Sequence, residues 1–271
     1  MSFVEKLLAA SRMNDSLLCV GLDPEPSRFS AQYAGMSPEQ AVRAFCLAII
    51  EATASYACAF KPNSAFFEVL GPAGLQVLQE VIKAVPAHIP VILDAKRGDM
   101  GNTARNYAKA VFEVYHADAV TVNPYQGYDA VLPFLEYSDK GIILLCRTSN
   151  PGSRDFQDLR VQGDDGREQP LYEAVARRIQ SWNKDNNCGL VVGATYPEEL
   201  RELRAICPTM PILIPGVGAQ GGDLKASVQA GVDAQGELAI ISASRSVLYA
   251  SDPAHEAREL RDAINEVRRG G

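Results

Sequence analysis

The sequence predicts a single (β/α)8 barrel over residues 1–271, and three observations point to it. Eight short apolar runs recur along the chain, each followed by an amphipathic stretch. Several of them (VILDAK, IILLC, ILIPGV, LAIISAS) are almost continuously apolar rather than alternating, as befits strands of a parallel sheet covered on both faces. Charged residues gather where the runs end, the face on which such barrels carry their chemistry. A doubly wound open sheet is the alternative, but the number and even spacing of the runs favour closure. No linker rich in Pro, Gly and Ser divides the chain.

In chain order the strand candidates are 16–23, 57–63, 90–96, 117–123, 141–147, 188–195, 210–218 and 237–245. Helix starts are legible between them. Ser37-Pro38-Glu39 sets a capping hydroxyl before a proline and an acid in the first turn. Tyr196-Pro197-Glu198-Glu199 opens another helix in the same manner, and Asp252-Pro253 opens the last. The segment 150–169 (NPGSRDFQDLRVQGDDGREQ) is long, polar and without periodicity, and reads as a lid or an insertion after the fifth strand.

Composition narrows the function. With 47% hydrophobic and 22% charged residues the chain can bury a substantial core. A net charge of −7 argues against a broad nucleic-acid or membrane surface, but not against a small anionic substrate held by two or three local cations. There is no secretion signal at the N-terminus and no apolar run of spanning length, so a cytoplasmic protein is expected. Cys19, Cys46, Cys58, Cys146, Cys188 and Cys207 are scattered through apolar runs without metal spacing, and read as buried reduced thiols. His88, His116 and His255 all lie away from the C-terminal ends of strands, so no metal site is expected. The turn after the first strand is G-L-D-P rather than a dinucleotide fingerprint. Cofactor-free chemistry is the parsimonious reading.

The strand ends supply the candidates: Asp23, Lys61, Asp94, Lys96, the nearby Asp99, Thr148-Ser149 and Arg245. In VILDAKRGDMGNT, Asp94 and Lys96 are two apart on a strand and leave the same face, Asp99 follows in the turn, and Thr103 begins the next helix. A lysine between carboxylates stays protonated, which suits proton donation to a developing carbanion better than nucleophilic attack. The glycines of Pro215-Gly216-Val217-Gly218-Ala219-Gln220-Gly221-Gly222-Asp223, together with Arg245, fit the phosphate site that barrels place after strands seven and eight.

These blocks resemble those of orotidine 5′-monophosphate decarboxylases. Asp94-Ala95-Lys96-Arg97-Gly98-Asp99 is similar to their D-x-K-x-x-D signature, and GLDP, FKPN, PGVGAQGGD and SRS follow the family's order from Asp23 to Arg245. The resemblance implies that Lys96 protonates C6 of the pyrimidine as CO2 leaves, with Asp94 against the departing carboxylate. It implies that Asp23 and Lys61 contact the ribose hydroxyls, that Ser149 bonds the pyrimidine, and that Gln220 and Arg245 grip the phosphate. Asp99 and Thr103 would reach the site of a neighbouring subunit, making a homodimer the working unit. The chain departs from the commoner pattern in two places. Ser244 stands where many members have Gly, and the RTSNPGS block with its long polar loop marks a longer-chain subgroup, leaving Thr148 as an alternative to Ser149. Other readings are a phosphosugar decarboxylase or epimerase, usually metal-dependent, and a nucleotide-binding protein without catalysis.

Overall fold

Side-chain alternation along a ring of parallel strands divides the apolar residues into an inner and an outer set. The protein is described by a computed structural model covering residues 1–163, 166–217 and 223–270. Its strands are β1 (Leu18–Leu22), β2 (Ala59–Pro62), β3 (Ile92–Arg97), β4 (Ala119–Val122), β5 (Gly141–Arg147), β6 (Arg160–Gln162), β7 (Glu168–Pro170), β8 (Cys188–Val192), β9 (Ile212–Pro215) and β10 (Ala239–Ala243). All but β6 and β7 form one parallel sheet in the order β2-β1-β10-β9-β8-β5-β4-β3. Parallel bridges from Phe60 to Val91 and from Asn63 to Asp94 join its two ends, so the eight strands make a nearly closed barrel. The eight barrel strands coincide with the eight runs read from the sequence: β5 matches its run, β3 extends one residue beyond it to Arg97, and the other six are trimmed by up to a few residues.

A helix follows each barrel strand: Pro38–Thr53, Gly71–Ala84, Gly101–Lys109, Tyr128–Leu135, Leu171–Trp182, Pro197–Ile206, Leu224–Gly231 and Pro253–Gly270. The expected starts at Pro38, Pro197 and Pro253 are all found. At the first of these, Ser37 Oγ accepts the Gln40 N–H and the Gln40 side chain accepts the Ser37 N–H, closing a capping box. Outward residues such as Leu18, Val20, Val120, Ile142, Leu190 and Ile241 pack beneath the helices in one large cluster. Inward residues Cys19, Ala59, Ile92, Ala119, Ile143, Val191, Leu213 and Ile240 form a second cluster inside the ring.

That inner cluster includes Phe3 and Leu7, from a helix (Phe3–Met13) that strand counting does not reveal. Its signal is Ser2-x-x-Glu5: the Ser2 hydroxyl accepts the Glu5 N–H and the Glu5 carboxylate accepts the Ser2 N–H at 2.8 Å. Phe3 lies over Gly141 at the start of β5, where a Cβ would sit 2.3 Å from the ring. A side chain there would expel the floor of the barrel.

The segment 150–169 is not featureless. A tight turn (Pro151–Asp155) leads into an antiparallel hairpin that pairs Val161 of β6 with Gln169 of β7. Strands of three residues are too short to show a period in the sequence. All six cysteines are buried and unpaired, His88, His116 and His255 are exposed, and among the described residues no helix is long and apolar enough to cross a membrane.

The N-terminal rim is held by a buried cation that forms no ion pair among the described residues. Arg204 donates to the carbonyls of Gly231, Cys207, Met210 and Leu238 at 2.6–3.1 Å, just before β9 and β10 begin. Burial lowers its pKa to about 10. Arg204→Met keeps the bulk but strands these acceptors, and a loss of about 3 kcal/mol in unfolding free energy is expected by urea denaturation.

Candidate active site

The alternation that builds the core also builds the site. Two residues beyond Ala59, Ile92 and Ala119, the inward positions of β2, β3 and β4 are Lys61, Asp94 and Thr121. Asp94 is the hub. Its Oδ1 accepts from Lys96 Nζ at 2.7 Å and from Thr121 Oγ1 at 2.8 Å, while Oδ2 accepts from Lys61 Nζ at 3.3 Å. Lys61 and Asp94 are buried, whereas the Lys96 side chain is half exposed at the barrel mouth.

Burial alone would raise the Asp94 pKa, but the two ammonium groups and the Lys96 and Thr121 hydrogen bonds hold it at about 2. Burial likewise works against the charge on Lys61, and the carboxylates of Asp94 and then Asp23 overcome it, leaving that ammonium harder to deprotonate than an ordinary lysine. Both groups therefore stay charged at neutral pH. The result is a fixed array in which a largely buried carboxylate sits between two cations, one buried and one open to solvent.

Lys96 reaches Asp94, but not through regular strand geometry. Its φ is +44°, in the left-handed region, and the β3–β4 register shifts between Leu93 and Arg97. Such a residue costs about 1–2 kcal/mol of backbone strain. The Lys96 N–H donates to Thr121 Oγ1 at 2.9 Å, so one hydroxyl holds both the strained backbone and the Asp94 carboxylate. Arg97 then turns outward to Glu68, over the Tyr107 ring. Thr121 gave no sign of this in the sequence, because a threonine in an apolar strand is an ordinary β-former.

The other candidates fall around this array unequally. Asp23 lies at the end of β1; Ser244 Oγ donates to its Oδ2 at 2.7 Å, and its Oδ1 is buried without a partner among the described residues. Arg245 is exposed and opens a short helix rather than ending a strand, and no described residue pairs with its guanidinium. Gln220 lies outside the described residues, as does the rest of 218–222. Asp99 is half-buried and, among the described residues, its carboxylate accepts only the neighbouring Met100 N–H at 2.8 Å, with no bond to the array. Thr103 is exposed on the helix that follows.

Thr148 and Ser149 part company after β5. The Thr148 hydroxyl donates to Asn150 Oδ1 at 2.7 Å and accepts from Gln157 Nε2 at 2.9 Å, and its N–H donates to Gln157 Oε1 at 2.9 Å. Ser149 instead lines a cavity of about 400 Å³ with Pro151, Arg154, Thr195 and Tyr196. Arg147 anchors this corner: fully buried, it pairs with Asp158 at 2.7 Å and lies against the rings of Tyr196 and Tyr172. Its burial could not be read from the sequence, where a strand-terminal arginine looks like a surface or site residue.

Comparison with known proteins gives the same assignment. The sequence profile of the orotidine 5′-phosphate decarboxylase / HUMPS family matches residues 16–260. The chain belongs to this family. It is 50% identical to an orotidine 5′-phosphate decarboxylase of Dehalococcoides mccartyi, the alignment covering 99% of both chains. Among solved structures, Leishmania donovani OMP decarboxylase superposes with a TM-score of 0.89 at 46% identity, covering 100% of both chains. Leishmania donovani UMP synthase superposes with a TM-score of 0.90 at 48% identity, and there the chain spans 57% of the longer protein. For an orotidine 5′-phosphate decarboxylase / HUMPS family member, the residues that sequence reading passed over are Thr121, Arg147 and Gln157, all of which act on better-marked neighbours.

A depressed carboxyl pKa adds stability above its unfolded value, here 3.8, and that stability is lost as the pH falls through about 2. Thr121→Val and Lys96→Met each remove a group that lowers the Asp94 pKa. Both variants should unfold in acid at a higher pH than the unaltered chain, with the midpoint followed by circular dichroism.

Proposed function

We propose that the chain decarboxylates orotidine 5′-monophosphate to uridine 5′-monophosphate, the last step of de novo pyrimidine nucleotide synthesis, without a cofactor. The observation that carries this reading is the Lys61–Asp94–Lys96 array at the mouth of the barrel. Near-full-length relatives that bear the decarboxylase name add to it. A cytoplasmic location is part of the reading, supported by the six unpaired thiols.

In the proposed reaction the bond from C6 to the carboxyl carbon breaks, CO2 departs, and the electron pair stays on C6. Lys96 Nζ sits beside that carbon, stabilises the pair electrostatically and gives it a proton. Its half-exposed side chain can regain a proton from solvent after product leaves. Asp94, kept ionised by two lysines and Thr121, faces the substrate carboxylate, and it holds Lys96 in place. Asp23 and Lys61 take the ribose hydroxyls, and Arg245 with Gln220 takes the phosphate. Phosphate and ribose contacts supply binding energy far from C6, where it can be used to orient the reacting ring.

Ser149, which lines the cavity, is the pyrimidine contact in this reading. The 150–169 insertion forms a wall of the same cavity through Pro151 and Arg154. Asp99 and Thr103 complete the site of a second subunit. That assignment is supported by Asp99 having no ion pair among the described residues and by the exposure of Met100 between them.

Adding EDTA-treated protein to orotidine 5′-monophosphate should abolish the orotate absorbance band with release of CO2. Lys96→Ala should eliminate turnover while uridine 5′-monophosphate still binds; retained turnover would overturn the proton-donor role. Mixing Lys96→Ala with Asp99→Ala chains should restore part of the activity, since a hybrid dimer keeps one intact site. No recovery would place Asp99 in its own chain's site or outside the chemistry.

A further inference from the structure

The loops after β1 and β10 meet at Asp23. Beyond the Ser244 contact, the Tyr249 hydroxyl donates to the Asp23 carbonyl at 3.2 Å and accepts the Glu25 N–H at 2.8 Å. The Arg28 guanidinium lies 3.9 Å above the Tyr249 ring centre. The approach of the two backbones depends on Gly21, where a Cβ would fall 2.8 Å from Ser244 Cβ. The seam thus joins the segment carrying Asp23 to the one carrying Arg245.

The carboxylate at this seam is used unevenly. Oδ2 is taken by the Ser244 hydroxyl at 2.7 Å, and Oδ1 is buried with no partner among the described residues. An unpaired buried carboxylate oxygen is costly, and such an orphan in a site at the barrel mouth marks a place for a hydrogen-bond donor. A carboxylate without the serine could turn about its last torsion and present either oxygen. A glycine at position 244 would leave it that freedom.

We propose that Ser244 is a positioning residue: its hydroxyl holds Asp23 by Oδ2 and so aims Oδ1 at a ribose hydroxyl of the bound nucleotide. The inference rests on the nucleotide reading above and deepens it. It ties the ribose contact to the segment that bears the phosphate-binding Arg245, so that the two grips are set by one seam.

The test is calorimetric titration of uridine 5′-monophosphate and of its 2′,3′-dideoxy analogue into the unaltered protein, Ser244→Ala, Ser244→Thr, Asp23→Ala and the Ser244→Ala/Asp23→Ala double variant. Melting curves establish that each is folded. Loss of a hydrogen bond that orients a charged group is expected to weaken uridine 5′-monophosphate about tenfold in Ser244→Ala. Binding of the dideoxy analogue should be unchanged by that substitution. Ser244→Thr should recover most of the affinity, and Ser244→Ala should add nothing once Asp23 is gone. Unchanged affinity in Ser244→Ala overturns the inference, as does an equal loss for the dideoxy analogue or in the Asp23→Ala background. An unaltered protein that binds neither nucleotide overturns the nucleotide reading itself, and the inference with it.

Discussion

The Asp94 carboxylate is buried where the barrel interior changes from apolar to polar, and most of the structure answers to that fact. Burying a lone carboxylate costs several kcal/mol, far more than a single hydrogen bond returns. The fold meets the cost from the neighbouring strands on both sides. Because β3 lies between β2 and β4, Lys61 approaches from one flank and Thr121 from the other, and Lys96 closes over the top. Buried ion pairs of this kind do little for net stability, so their presence is best understood as preorganisation of charge for a reaction.

The array stands on an apolar layer. Phe3 and Leu7 close the N-terminal end and, with eight inward strand residues, fill the interior below Lys61 and Asp94. A low-dielectric floor strengthens every charge interaction above it. Backbone strain at Lys96 belongs to the same design. The left-handed turn lifts the ammonium to the open mouth, and the Thr121 hydroxyl that steadies it also fixes the carboxylate it faces.

The loops follow the same rule of one polar group held from two sides. Arg147 joins the barrel wall to the insertion through Asp158 and lies against the rings of Tyr172 and Tyr196 on the elements that flank it. Asp23 joins the first and last loops through Ser244 and Tyr249. At the opposite rim, Arg204 gathers four carbonyls. Function and stability thus occupy opposite ends of the same strands, as the barrel architecture dictates.

The sequence by itself determined the eight-fold strand and helix order, the helix starts marked by Ser37-Pro38, Pro197 and Pro253, and the family blocks around Asp94, Lys96 and Arg245. Those features are local: a run of apolar residues, a cap or a short motif is visible within a window of a dozen positions. The tertiary structure alone decided that Thr121 touches both Asp94 and Lys96, that Ser244 touches Asp23 across 221 positions, and that Thr148 is spent on Gln157 while Ser149 faces the cavity. It also put Phe3 under the barrel and turned Lys96 left-handed. Each of these depends on a partner brought near by strand order and register. A threonine, a serine or a phenylalanine carries the same local propensity whether or not that partner arrives.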